Sequence, residues 1–258
     1  MRVAVVTPYY REPRPYLQRC IESVRNQTYP EVEHLLVADG HPQPWLDAEP
    51  VRHLRLDRAH GDYGNTPRAI GALLAASEGV DAVAFLDADN WLHPEHVASC
   101  VEVARAQTQM PDYVVSLRFL ARDDGSVLPL GMGEDISGAH VDTNCMFLCR
   151  GAFHALARWA LMPKPLDGIG DRVFLASLRA EGLREVRTGR KTVYYLCTWA
   201  PYFRLAGESP PPYAKEPIDA TPAQRWLQEL GPVEMRVTSR LLGFDPRSAS
   251  RLRSGYET

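Results

Sequence analysis

The sequence predicts an α/β protein built on a Rossmann-like, mostly parallel central sheet flanked by helices. Short β-branched apolar runs alternate with segments of helical periodicity over the first 110 residues or so, the order that yields a parallel sheet with right-handed crossovers. One apolar run, Ala82-Val83-Ala84-Phe85-Leu86, ends in two carboxylates one residue apart, Asp87 and Asp89. In α/β sheets the carboxyl end of a strand, beside a topological switch point, is where ligands bind. With 258 residues, 45% of them hydrophobic and 24% charged, the chain is long enough and apolar enough to bury a proper core.

The elements follow in order. Val3 to Val6 is a continuous apolar run, as expected of a strand buried on both faces. From Pro15, residues Leu17, Cys20, Ile21 and Val24 keep helical spacing until Tyr29-Pro30 stops the helix. Val32 to Val37 forms the second strand, ending at Ala38-Asp39-Gly40, and Val51 to Leu56 the third. Thr66 suits an N-cap and Pro67 a first helical position; Ile70, Leu73, Leu74 and Ser77 then mark one helical face, and Gly79 ends it. After Asp87-Ala88-Asp89, Pro94 opens a helix with Val97, Cys100, Val101 and Ala104 as its buried stripe. That helix start sets His93 and His96 on the surface.

Beyond residue 110 the pattern changes. Tyr113 to Leu120 reads as a strand, Gly131 to Gly138 as a glycine-rich acidic loop, Thr143 to Leu148 as a strand and Ala152 to Leu161 as a helix. Pro163 to Gly170 reads as a second flexible loop, followed by a helix with Phe174, Leu175 and Leu178 on one face and a last strand over Val193 to Cys197. Ser209-Pro210-Pro211-Pro212 is a stiff connector. A short helix from Thr221-Pro222 carries Trp226, Leu227 and Leu230, and an amphipathic piece runs from Val233 to Leu242. The expected organisation is a catalytic domain over 1–200, with a nucleotide-binding half at 1–110 and an acceptor half at 111–200. A Pro-rich connector and small helical C-terminal extension occupy 201–258.

A net charge of -3, from 29 basic and 32 acidic residues, gives no reason to expect a nucleic-acid partner. Cys20, Cys100, Cys145, Cys149 and Cys197 form an odd, scattered set, which reads as reduced thiols and a cytoplasmic setting. The apolar run at the N-terminus is too short for a signal peptide, and no run of about 18 apolar residues occurs anywhere.

Side chains alternate along a strand, so Asp87 and Asp89 are expected to point the same way. Mg²⁺ and Mn²⁺ take oxygen ligands, commonly one or two carboxylates with substrate phosphates. Locally, then, the motif reads as a metal–phosphate site.

Val5-Val6-Thr7-Pro8-Tyr9, the stretch Ile21-Glu22-Ser23-Val24-Arg25-Asn26-Gln27-Thr28-Tyr29-Pro30, Arg68-Ala69-Ile70-Gly71 and Asp87-Ala88-Asp89 together resemble glycosyltransferase family 2, whose fold is GT-A. The resemblance runs over roughly residues 3 to 200 and is most specific in the first hundred. It implies an inverting enzyme that moves a sugar from a nucleotide diphosphate-sugar donor to a glycan, lipid-linked or other hydroxyl acceptor, with Mn²⁺ or Mg²⁺. It implies that Thr7, Pro8 and Tyr9 line the nucleoside pocket, that Asp39 hydrogen-bonds the base and that Arg68 lies near the nucleotide. Asp87, with Ala88 beside it, would sit nearer the ribose, and Asp89 would ligate the metal.

Inversion needs a base for the acceptor proton. Asp171, in Gly170-Asp171-Arg172 at a helix start, fits that role and resembles the aspartate of the family's Glu-Asp pair, although Gly170 replaces the glutamate. Asp167 is the competing carboxylate. A second departure is that the histidine many relatives carry late in the domain has no counterpart, His154 being the last. A nucleotidyltransferase would use similar carboxylates but wants a glycine-rich basic N-terminal loop, which Thr7-Pro8-Tyr9-Tyr10-Arg11 is not. A nucleotide-sugar-binding protein impaired in catalysis is the third reading. Arg236, Arg240, Arg247, Arg251 and Arg253, beside apolar Met235, Val237, Leu241, Leu242 and Phe244, make the extension a docked element, with peripheral contact at the inner membrane face or a homo-oligomer contact as alternatives.

Overall fold

The computed structural model describes residues 1–130 and 140–248. The glycine-rich stretch 131–138 and the last two tail arginines, Arg251 and Arg253, lie outside the described residues. Strands β1 (Val3–Tyr9), β2 (Val32–Ala38) and β3 (Arg52–Arg55) form a parallel edge with α1 (Arg14–Arg25) as the first crossover. Helix α2 (Asn65–Ser77) returns the chain across β1 to β4 (Ala82–Phe85), which pairs parallel with β1 on the side away from β2. The chain thus reverses direction between β1 and β4, and the crevice at their carboxyl ends is the switch point. The remaining elements are β5 (Trp91–Leu92), α3 (His96–Arg105), β6 (Tyr113–Ala121), β7 (Met146–Cys149), α4 (Gly170–Ala180), β8 (Glu185–Leu196), α5 (Ala200–Leu205), α6 (Thr221–Glu229) and α7 (Pro232–Leu242). The eight strands form one sheet in the order β3-β2-β1-β4-β7-β6-β8-β5. β7 is antiparallel to both its neighbours, and β5 is antiparallel to β8.

Every residue of β1 and β4 is buried, which is why those strands read as unbroken apolar runs. Helix α1 puts Leu17, Cys20, Ile21 and Val24 against the sheet, each burial contributing about 1.5–3 kcal/mol for the branched residues. Helix α2 comes closer to the sheet than a side chain permits. A Cβ on Gly71 would sit 2.6 Å from a Val6 methyl and 2.9 Å from one of Val37, so only glycine fits. A single hydrophobic cluster runs from Val3 through β4, β6 and β7 to Leu227, Met235, Leu242 and Phe244. The C-terminal helices are therefore docked into the same core. All five cysteines are free and buried. Among the described residues no helix is long and apolar enough to cross a membrane.

Several expectations are corrected. The first turn of α2 is capped by Asp62, whose Oδ2 accepts from the Thr66 N–H at 2.9 Å, and Thr66 lies inside the helix. His96 is fully buried, not on the surface. The first turn of α3 rests on β8, where the His96 Nδ1 meets Thr192 Oγ1 at 2.8 Å, and burial pushes its pKa down to about 4. Residues 164–169 are no loose loop but a 3₁₀ helix burying Leu166, Asp167 and Ile169. The segment 150–158 is also 3₁₀. Strand β7 starts at Met146, because the Asp142 carboxylate accepts from the Asn144 N–H and winds 143–145 into a 3₁₀ turn. Strand β8 begins at Glu185, eight residues before the apolar run that announced it.

Candidate functional site

The site grows from the end of β4. Leu86 N still bonds Val6 O at 3.1 Å, and Asn90 N then bonds Asp87 O at 3.0 Å, so the chain turns immediately after the strand. Asp87 and Asp89 consequently lie in this turn rather than along a strand, and their surroundings differ. Asp87 is held by two neighbours. Arg68, from the first turn of α2 and 4% exposed, donates from Nη2 to Asp87 Oδ1 at 2.8 Å. Asn144 donates from Nδ2 to Asp87 Oδ2 at 2.9 Å and accepts the Asp87 N–H at 2.5 Å.

This network extends inward. Asn144, with no exposed surface, also donates to Asp142 Oδ1 at 2.6 Å, and Asp142 Oδ2 accepts from Arg118 Nη1 at 2.6 Å. The Arg118 guanidinium lies 4.5 Å over the Tyr195 ring, whose hydroxyl accepts the Trp199 indole N–H at 2.8 Å. Burial raises the Asp142 pKa, and Arg118 offsets part of the rise. On the other side Arg68 donates to Asn65 Oδ1 at 3.1 Å and stacks 4.9 Å from the Trp159 ring centre. Cations, carboxylates and amides alternate along the chain, the arrangement in which buried charges are tolerated.

Arg68, Asp87, Arg118, Asp142, Asp167 and Asp171 line one cleft of about 200 Å³. Asp171 stands in the first turn of α4, where the helix N-terminus favours a carboxylate. Its Oδ2 meets His140 Nε2 at 2.6 Å, and its Oδ1 accepts the Arg172 N–H at 2.7 Å. Burial alone would raise its pKa; the charge and hydrogen bond of His140, with Arg172, carry it below the ordinary carboxylate value. Asp167 accepts from Asn65 Nδ2 at 3.3 Å, and burial pushes its pKa up to about 6. Gly170 starts α4 close against Asn65 and Met162. A Cβ there would lie 3.2 Å from both amide atoms of Asn65 and 3.3 Å from the Met162 sulfur. At the mouth, Tyr63 is 69% exposed and adopts φ 56°, a left-handed backbone unusual for a residue other than glycine.

The other anticipated residues fall outside this cleft. Asp89 has no ion pair among the described residues; burial first, and then the charge of Asp87, push its pKa up to about 7. A carboxyl group so placed could ligate a divalent cation shared with a ligand's phosphates, whose charge would favour its ionised form. Among the described residues no three His, Cys, Asp or Glu side chains gather as a metal-binding group. Asp39 is engaged by His60, through its N–H at 3.1 Å and its Nδ1 at 2.7 Å. The Thr7 hydroxyl is directed inward, 2.9 Å from His34 Nε2. The Tyr9 hydroxyl meets His53 Nε2 at 2.6 Å and accepts the Gln43 N–H at 3.0 Å. Pro8 and Ala88 are buried, so these four shape the switch point through backbone and bulk.

Arg118, His140, Asp142 and Asn144 were not anticipated. Two signals announce them: an arginine inside the otherwise apolar Tyr113–Ala121, and the polar alternation His140-x-Asp142-x-Asn144 before β7.

The chain is similar to known proteins over part of its length. It is 34% identical over 116 residues to the O-antigen biosynthesis protein RfbC of Myxococcus xanthus, covering 43% of this chain and 9% of that protein. It is 27% identical over 103 residues to EpsH of Bacillus subtilis (strain 168), whose name describes a glycosyltransferase, covering 37% of this chain and 28% of EpsH. These matches therefore span well under a third of either relative. Among solved structures, S. aureus TarS 1-349 superposes with a TM-score of 0.58 at 16% identity, covering 97% of this chain and 73% of that one. The same protein has been solved with UDP and with UDP-GlcNAc, each at a TM-score of 0.57. The likeness shows the fold, which is GT-A. The model of the family described as "Glycosyl transferase family 2" matches residues 4–132, half of the chain; the chain belongs to glycosyltransferase family 2.

Proposed function

We propose that this chain is an inverting glycosyltransferase that moves a sugar from a nucleotide diphosphate-sugar to an acceptor hydroxyl. The observation that carries the reading is one cleft lined both by the Arg68–Asp87 pair at the β4 switch point and by the Asp171 carboxylate on α4. In the reaction the acceptor oxygen bonds to the anomeric carbon while the bond from that carbon to the diphosphate oxygen breaks. The hydroxyl becomes strongly acidic as its oxygen bonds to carbon, so a carboxylate within reach can take its proton. Asp171 is that base. The nucleotide lies over the carboxyl ends of β1 and β2, against Asp39 and the backbone of Thr7, Pro8 and Tyr9. Asp87 and Ala88 flank the ribose, and Arg68 holds Asp87 in place. Asp89 would hold Mn²⁺ or Mg²⁺ together with the donor phosphates, an ion that supplies stabilisation of leaving-group charge.

The test is a thermal-shift screen of nucleotide sugars with and without Mn²⁺, starting from UDP-GlcNAc, the ligand of the TarS complex, followed by product analysis. A ligand at 100 times its Kd stabilises by about 2.7 kcal/mol. One donor is expected to raise the melting temperature and to release nucleoside diphosphate when an acceptor is supplied. Pyrophosphate release from a nucleoside triphosphate would replace the proposal with a nucleotidyltransferase. Binding without turnover would leave a nucleotide-sugar-binding protein.

A further inference from the structure

The histidine beside Asp171 has no part in the chemistry described so far. His140 precedes β7, far from α4 in sequence, yet its Nε2 lies 2.6 Å from Asp171 Oδ2. Both side chains are largely buried, 18% and 24% exposed, and both line the cleft. The other Asp171 oxygen accepts the N–H of Arg172, in its own helix. The carboxylate is thus gripped at both oxygens, by α4 and by the segment that carries Asp142 and Asn144. We propose that His140 is a positioning residue for the base: its ring fixes the Asp171 carboxylate toward the cleft, and loss of its own proton turns that carboxylate into an effective proton acceptor. The inference rests on Asp171 being the base.

The physical argument is one of charge. While His140 is a cation, an ion pair holds the Asp171 carboxylate, and protonating Asp171 breaks it. Once the imidazole is neutral, Nε2–H still orients the oxygen by a neutral hydrogen bond, and the carboxylate accepts a proton at lower cost. Four further groups face the pair. Arg118 on β6 disfavours the imidazolium, Asp142 favours it, Arg172 on α4 steadies the Asp171 anion, and Tyr195 on β8 lines the same cleft. Burial alone would lower the His140 pKa, but Asp171 outweighs it and raises the value above that of a free imidazole. Activity should accordingly rise with pH through a limb displaced above the ordinary histidine value.

The experiment compares wild type with His140→Gln, His140→Ala and Asp171→Asn, measuring kcat and donor KM from pH 5 to 9. His140→Ala is expected to lower kcat by about 10–100-fold, the usual loss when an orienting partner is removed, with donor KM nearly unchanged. His140→Gln keeps an N–H donor but cannot become charged, so it should recover most of kcat and lose the histidine limb. A second readout needs no turnover: the His140 ring titration, followed by NMR in the full chain, should fall in pH in Asp171→Asn. If both His140 variants keep the wild-type profile while Asp171→Asn is inactive, the inference is wrong and the base stands. If Asp171→Asn is fully active, the base assignment fails and His140 falls with it. An unchanged ring titration in Asp171→Asn also overturns the inference.

Discussion

Replacing Asp167 by asparagine separates what a buried carboxylate costs the fold from what it does in the cleft. Asp167 is 7% exposed, its recorded hydrogen bond comes from Asn65, and burial pushes its pKa from 3.8 to about 6. The folded state therefore binds this proton more tightly than the unfolded chain. The resulting stability is fully present below about pH 4 and is lost as pH rises through about 6. A shift of about 2 units at 1.36 kcal/mol each sets an upper limit of about 3 kcal/mol, with Asp62 adding to the shift and Lys164 opposing it. Asparagine keeps an oxygen for Asn65 and has no charge to desolvate. Urea unfolding of Asp167→Asn and wild type should give nearly equal stabilities near pH 4. Above pH 7 the variant should be more stable by about 1–3 kcal/mol, a rise of several degrees in Tm for a chain of this size. A gap that does not change with pH, or a wild type more stable above pH 7, refutes the burial argument. With Asp171 as the base, the variant keeps turnover within about tenfold; a stabilised but inactive variant would transfer the role to Asp167.

Asp89→Asn should reduce transfer by at least about 100-fold through loss of leaving-group stabilisation; full activity in chelator-treated buffer would rule this out. Asn144→Asp would replace the amide that donates to both Asp87 and Asp142 with a third carboxylate. Chemical unfolding should show a loss of about 2–5 kcal/mol, and calorimetry a loss of donor binding, whereas a variant as stable as wild type would mean that the network is dispensable. A chain ending at Gly231 loses buried Met235, Leu242 and Phe244, each worth about 1.5–3 kcal/mol. Its thermal midpoint should drop sharply, and an unchanged midpoint would refute docking of the extension.

The first half was legible because its central strands are buried. A strand buried on both faces, such as Val3–Tyr9 or Ala82–Phe85, leaves an unbroken apolar run, and the helices between show one apolar stripe. The second half hides its structure in polar residues. The first part of β8, Glu185 to Lys191, is charged: Glu185 pairs with Arg179 on α4 and with Arg187 two residues on. A 3₁₀ helix such as Lys164–Ile169 has no 3.6-residue stripe and contains the proline and glycine that suggest a loop. The contact of His140 with Asp171 gives no sequence signal of its own, because His140 reaches Asp171 from 31 residues upstream through the fold.

The two halves are also joined where the chemistry is proposed to occur. Asp87 comes from the first half, yet only one of its two carboxylate partners does. Arg68 holds Oδ1 from α2, while Asn144, across the sheet on the segment entering β7, holds Oδ2 and the backbone N–H. Asn144 is fully buried and shared with Asp142, which is paired in turn with Arg118 on β6. Separating the halves would leave that amide without Asp87, at about 1–3 kcal/mol for each buried polar group stranded. A displacement of Asp87 by a bound nucleotide would strain the same bonds, and these lead to Asp142, two residues from His140. Asp87 and Asp171 are thus both held by one short segment, His140 to Asn144. This explains why polar side chains stand at 140, 142 and 144, just ahead of the apolar strand β7.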